Sequence, residues 1–197
     1  MSSITSESVF AVSGGAKGIT ARCVERLAAH CGCKFVLMGR SRLEDDPAWA
    51  ANAADEGALK QAAMNELKVR GEKPTPAAVQ KMSRSVLSSR EIAGTLETIR
   101  ANGGTAAYVS VDITDADGVK QALREAEAKL GRITGVIHGA GNLADKLIEN
   151  KTPDDFEWVY AAKVEGLQNL LAAAEDRDAC LRRLHEQARE LYTRLHG

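Results

Sequence analysis

Val9-Phe10-Ala11-Val12-Ser13-Gly14-Gly15-Ala16-Lys17-Gly18-Ile19 sets the architecture of this chain. The apolar run Val9 to Val12 breaks into small and glycine residues, and the next segment, Ile19 to His30, carries apolar residues at helical spacing. That pattern is a buried strand, a tight turn and an amphipathic helix. Glycine lets backbone turn sharply and lie close to a bound group, and the N–H groups at a helix start favour negative charge. Ser13, Gly14, Gly15, Lys17, Gly18 and Ile19 are therefore candidate contacts to a pyrophosphate.

Working outward, Lys34 to Met38 is a second apolar run between Gly32 and Gly39, and Ala106 to Val111 and Gly135 to His138 repeat the theme. Each is followed by a polar or glycine-rich turn and then by helical periodicity. Strands alternating with helices imply an α/β fold, a Rossmann-like doubly wound parallel sheet of about four strands with both faces covered. The crossover between the second and third strands is long and rich in alanine and charge, and is read as a helical insertion over 44–104. Asp55 is placed to cap a helix carrying Leu59, Ala62, Ala63 and Leu67. Gly71 to Pro74 breaks that helix, and Pro76 opens a longer one through Val79, Met82, Val86, Ile92, Leu96 and Ile99. A further helix is predicted from Val159 through Leu167 to Leu171. Residues 1–174 form the expected domain; 175–197 is a charged tail whose Leu181, Leu184, Ala188, Leu191 and Leu195 predict an amphipathic helix.

Twenty-six basic against 27 acidic residues leave a net charge of −1, which gives no global attraction to nucleic acid or to an anionic membrane. Any phosphate affinity has to be local. Cys23, Cys31, Cys33 and Cys180 lack a second ligand cluster, so no metal is expected. No run of about 18 apolar residues predicts a membrane span, and no secretory leader is evident, so a cytoplasmic location without disulfides is expected.

The end of the second strand holds Gly39-Arg40-Ser41 where NAD-binding folds place an acidic residue on the ribose hydroxyls. A permanently charged planar guanidinium suits a 2′-phosphate, so Arg40 and Ser41 predict NADPH over NADH. Asp112, followed by Ile113, ends the third strand; two readings stand, acceptance from an adenine amino group or capping of the next turn. His138 precedes Gly139-Ala140-Gly141, residues small enough to let a cofactor pass over the backbone. The histidine itself lacks partners for metal or nucleophile chemistry and is read as buried and hydrogen-bonded.

Together these segments resemble a short-chain dehydrogenase/reductase, and more narrowly the ketoreductase domain of polyketide and polyunsaturated fatty acid synthases. The resemblance rests on Ser-Gly-Gly-Ala-Lys-Gly-Ile-Thr at 13–20, Gly-Arg-Ser at 39–41, Val-Asp at 111–112, His-Gly-Ala-Gly at 138–141, and Lys163-Val164-Glu165-Gly166 with Asn169-Leu170. Gly-Glu-Lys-Pro-Thr-Pro at 71–76 is similar to the insertion of iterative synthases.

The resemblance implies reduction of a 3-ketoacyl thioester carried on an acyl carrier protein, with NADPH as cofactor and Lys163 as the active-site lysine. Other synthase domains, or a complementary ketoreductase half, are the implied protein partners. It also implies a serine strand and a tyrosine helix after the lysine helix, and these 197 residues contain no matching segment. Tyr160 is separated from Lys163 by three positions rather than the family's four and is read as a packing residue; Tyr108 and Tyr192 match neither segment. Leu143-Ala144-Asp145 resembles the loop whose aspartate accompanies one product stereochemistry. The expectation is a chain that binds NADPH and does not turn over alone. The alternative is a non-catalytic half-domain pairing with another synthase polypeptide.

Overall fold

A computed structural model describes residues 4–174. Four parallel strands, β1 (Val9–Ser13), β2 (Lys34–Gly39), β3 (Thr105–Ser110) and β4 (Gly135–His138), form one sheet in the order β3-β2-β1-β4. Register is continuous, with Ala11 opposite Val36 and Val136, and Val36 opposite Ala107. The chain winds outward from β1 to β3, then crosses to β4 on the other side of β1. At such a reversal the connections diverge and leave a crevice beyond the C-terminal strand ends.

The two central strands are buried on both faces because helices cover both. Val9, Ala11, Val36 and Met38 pack on one face with Val119, Leu123 and Ala126 of α4 (Ala116–Leu130) and Leu170 of α6 (Gly166–Ala173). Val12, Phe35 and Leu37 point the other way, onto Val24 and Ala28 of α1 (Gly18–Cys31) and Ile92 and Ile99 of α3 (Pro76–Ala101). That alternation, period two along each strand, divides one apolar run between two cores.

The crossover is helical as the sequence predicts. The Asp55 carboxylate accepts from Ala58 N–H at the start of α2 (Glu56–Val69), and Thr75 caps α3, with Pro76 in its first turn. Leu59 of α2, Val86 of α3, Ala50 and Ala53 make a small core of their own. Arg90 ties the preceding loop to α3: its guanidinium donates to Asp46 Oδ2 at 2.6 Å, to Ala53 O at 2.6 Å and to Ala50 O at 2.9 Å. Ser83, Ser89 and Thr95 are buried on the same helix, where periodicity alone marks only the apolar positions.

One expectation is corrected. The predicted continuous helix from Val159 is α5 (Pro153–Tyr160), a π-helical turn at Ala161–Glu165 and α6. A π turn inserts one residue without breaking the helical path, so apolar spacing does not reveal it. The predicted tail helix over Leu181 to Leu195, together with Tyr192 and Cys180, lies outside the described residues. Among the described residues no helix is long and apolar enough to cross a membrane, and no group of three His, Cys, Asp or Glu side chains is placed to hold a metal ion.

Candidate functional site

A cleft of about 510 Å³ opens at the C-terminal ends of the strands, where the winding reverses. Ser13, Gly14, Lys17, Arg40, Ser41, Asp112, Ile113, Gly139, Ala140 and Gly141 line it, so four separate sequence segments meet there. Gly15, Gly18 and Ile19 are not among its lining residues. Gly15 serves packing instead: a Cβ there would come within 2.5 Å of Val12 Cγ1. Gly14 has φ +66°, and a Cβ on it would meet the backbone of Gly139 and Ala140 at 2.9 Å. The turn after β1 and the turn after β4 thus touch backbone to backbone, an approach that only glycine permits.

Two cations meet at the β2 end, Arg40 from the loop after β2 and Lys17 from the turn after β1. Lys17 Nζ donates to Ser41 Oγ at 2.9 Å and to Ser88 Oγ of α3 at 3.1 Å. Tyr108 reaches under the same loop and donates its hydroxyl to Ser41 O at 2.6 Å; burial pushes its phenol up, which keeps it a donor. Arg40 donates across the cleft to Asn142 Oδ1 at 3.1 Å, and Asn142 Nδ2 donates to Trp158 O at 2.9 Å. Asn142, Trp158 and Tyr108 were not singled out from the sequence as site residues. Their link to the cleft runs through contacts between distant segments, which leave no local pattern.

Asp112 accepts from Thr114 N–H at 3.0 Å and from the Thr114 hydroxyl at 2.8 Å through one carboxylate oxygen. The Thr114 N–H, then its hydroxyl and the Arg40 guanidinium, hold the carboxyl below the ordinary aspartate value against desolvation. The aspartate therefore caps the turn and lines the cleft at once, and the two sequence readings do not exclude each other.

Ser13 Oγ lies 2.7 Å from His138 Nδ1 and accepts from Ala140 N–H at 3.3 Å. Burial, and then the nearby Lys163 ammonium, push the imidazole pKa below its ordinary value. With Nδ1 facing the serine hydroxyl, His138 is hydrogen-bonded as the sequence reading has it, although half-buried. Its Nε2 is buried without a hydrogen-bond partner among the described residues.

Lys163 sits in the π turn as an exposed residue, with its side chain folded over the β4 turn. A Cβ on Gly141 would come within 2.5 Å of Lys163 Cε and 2.7 Å of Nζ. Tyr160, expected to pack, does stack on Phe156 with ring centroids 5.7 Å apart, yet it is 40% exposed. Asp145 lies in the exposed loop after β4.

A parallel sheet in this order, a glycine turn from β1 into α1 and a cleft at the winding reversal define the Rossmann-like architecture of the short-chain dehydrogenase/reductase class. Within that class, the KR domain family model matches residues 77–181, more than half the chain, and the chain belongs to that family. It is 45% identical over 176 residues to a polyunsaturated fatty acid synthase polypeptide of Thraustochytrium sp., a match covering 85% of this chain and 6% of the relative. Among solved structures, an N-terminal ketoreductase from the macrolactin assembly line superposes with TM-score 0.62 at 25% identity, over 88% of this chain and 27% of the other. A short-chain dehydrogenase from Mycobacterium paratuberculosis bound to NAD shares the fold, with TM-score 0.58 at 19% identity over 87% of this chain and 51% of that one. The chain thus spans a small part of the synthase it matches and about a quarter of the solved ketoreductase.

Proposed function

We propose that this chain binds NADPH as the cofactor half of a ketoreductase acting on 3-ketoacyl thioesters carried on an acyl carrier protein. The observation that carries this reading is the cationic loop at the end of β2. Arg40 lines the cleft there, and Lys17 bonds Ser41 at 2.9 Å, where an acidic residue would favour an unphosphorylated ribose. The fit is sound on two further counts. Cleft volume falls within the range of ordinary cofactor sites, and the turns at Gly14 and Gly139 to Gly141 present backbone rather than side chains.

In this reading Arg40, Ser41 and Lys17 hold the 2′-phosphate, the turn at Gly14 faces the pyrophosphate, and Asp112 with Ile113 borders the adenine. When bound, the cofactor supplies the hydride that reduces the ketone. Lys163, folded over Gly141, contributes positive charge beside the nicotinamide end of the cleft. Proton donation to the substrate oxygen is assigned to a group other than Tyr160, which stacks on Phe156, three positions before the lysine, and is not among the residues lining the cleft. The 197 residues alone are accordingly expected to bind cofactor without turnover.

Calorimetric titration with NADPH and NADH tests the first half, with NADPH expected to bind at least about tenfold more tightly. Equal affinities would remove the 2′-phosphate assignment, and no heat with either nucleotide would remove the reading itself. Steady reduction of a 3-ketoacyl thioester by the isolated chain would refute the second half.

A second reading, a half-domain that pairs with another synthase polypeptide, is favoured by the apolar side chains beside β4. Leu143, Leu147, Ile148, Phe156 and Trp158 are all exposed. Absence of nucleotide binding together with a stable monomer or dimer would favour this reading over the first.

A further inference from the structure

Helix α1 starts without a cap of its own: Lys17, at its N-cap, makes no side-chain capping bond, and the first turn carries no acidic residue. Helix α3, more than 70 positions further along the chain, compensates. Three of its side chains, Ser88, Glu91 and Thr95, at spacings of three and four, lie on one helix face. They engage three consecutive residues of the glycine turn. Thr95 Oγ1 donates to Ala16 O at 3.0 Å, Ser88 Oγ accepts from Lys17 Nζ at 3.1 Å, and Glu91 Oε1 accepts from Gly18 N–H at 3.0 Å.

Thr95 is the buried member, at 4% exposure. Its hydroxyl lies 3.0 Å from Ala16 O and also 3.0 Å from Glu91 O in its own helix. A hydroxyl has one proton, so these two carbonyls share it. A threonine inside a helix satisfies itself on the preceding turn without help. Here the same group is also turned to the loop, and the carbonyl of the buried Ala16 has it as a donor. The neighbouring Gly18, at φ +63°, has nothing within 4 Å of where a Cβ would stand.

We infer that Thr95 is a positioning residue for nucleotide binding, seconded by Glu91: together they fix the peptide groups on either side of Lys17, which sets where the lysine meets a phosphate. The inference rests on the proposed nucleotide reading, and it extends that reading from the cleft to a helix of the crossover. Glu91 is exposed and brings a negative charge near an anionic ligand, so its useful property here is its acceptor oxygen, not its charge.

Thr95→Val, Thr95→Ser and Glu91→Gln, each in the whole 197-residue chain, separate positioning from simple stabilisation. Valine keeps the shape and removes the hydroxyl; serine restores the hydroxyl. With the folded fraction held equal by circular dichroism, Thr95→Val is expected to weaken NADPH binding about tenfold, Thr95→Ser to stay within about twofold of the parent, and Glu91→Gln to bind as well as the parent or better. Equal NADPH affinity for Thr95→Val and the parent overturns the inference, as does serine failing to rescue.

Amide hydrogen exchange in the nucleotide-free chain is an independent readout. Thr95→Val should speed exchange at Gly18 and leave Val12 and Leu37 unchanged; unchanged exchange at Gly18 overturns the inference too. If the parent binds no NADPH, the nucleotide reading fails while the exchange result still decides whether Thr95 holds the turn.

Discussion

The two flanks of the cleft differ in how fully this chain covers them. On the β2 side every middle residue of the strand, Phe35 to Met38, is buried, and the loop that follows is bonded to Lys17, Ser89 and Tyr108. On the β4 side all four strand residues are only half-buried, and beyond them Leu143 is 80% and Ile148 83% exposed. Burial is what converts apolar side chains into stability, at roughly 25 cal/mol per Å² removed from water. The contrast therefore separates a covered flank from one whose apolar side chains face solvent, and four experiments break or sharpen it.

The largest effect is expected in the core of the covered flank. Leu37→Ala should cost about 2–5 kcal/mol in urea unfolding, a large share of the roughly 5–15 kcal/mol that holds a domain folded. Ile148→Ser on the other flank should change stability by less than about 0.5 kcal/mol and lower self-association in light scattering. Comparable losses for both would show that the β4 flank is packed after all.

Gly14→Ala comes next. A side chain at φ +66°, set 2.9 Å from the Gly139 and Ala140 backbone, should cost about 1–3 kcal/mol and push the two turns apart. NADPH binding should fall at least tenfold. Gly18→Ala has a similar φ but open space around the new methyl, so a milder loss of about 1 kcal/mol is expected. The ranking of the two melting temperatures checks whether close approach or backbone angle dominates.

Smaller and more selective is Arg40→Ala, expected to weaken NADPH about 10- to 100-fold while leaving NADH within about twofold. A parallel loss for both nucleotides would mean that Arg40 acts through its bond to Asn142 rather than on a 2′-phosphate.

The least effect belongs to pH on the exposed flank. The Lys146 ammonium, then the Thr152 N–H and hydroxyl, hold Asp155 at about 2, inside the capping box that starts α5. A depressed carboxyl stabilises the fold above its ordinary value, and this contribution disappears as pH falls through about 2. Lys146→Ala should raise the Asp155 titration midpoint measured by NMR; an unmoved midpoint would contradict the assigned cause.

The parallel sheet was legible because its central strands are buried on both faces and so appear as unbroken apolar runs, Val9 to Val12 and Lys34 to Met38. Helix starts at Asp55 and Pro76 were legible because capping chemistry is local. Cleft geometry was legible in outline, since glycine turns and Arg40 sit directly after strands. What escaped was every contact without a period. Ser88, Glu91 and Thr95 look like the polar face of a solvated helix until the fold brings the glycine turn against them. Asn142 and Trp158 carry no motif, and the π turn at Lys163 preserves the helical path that spacing detects. Gly15 belongs to the expected phosphate motif by sequence and to the hydrophobic packing by position.

The bond from Thr95 to Ala16 joins residues 79 positions apart. A ribosome releases the N-terminal glycine turn long before the helix that steadies it, and closing so long a loop precedes any gain from the contact. Competence to take up a nucleotide should thus arrive late in folding, after β1 and α1 have formed, and pulse-labelled exchange that protected Gly18 ahead of α3 would reverse that order.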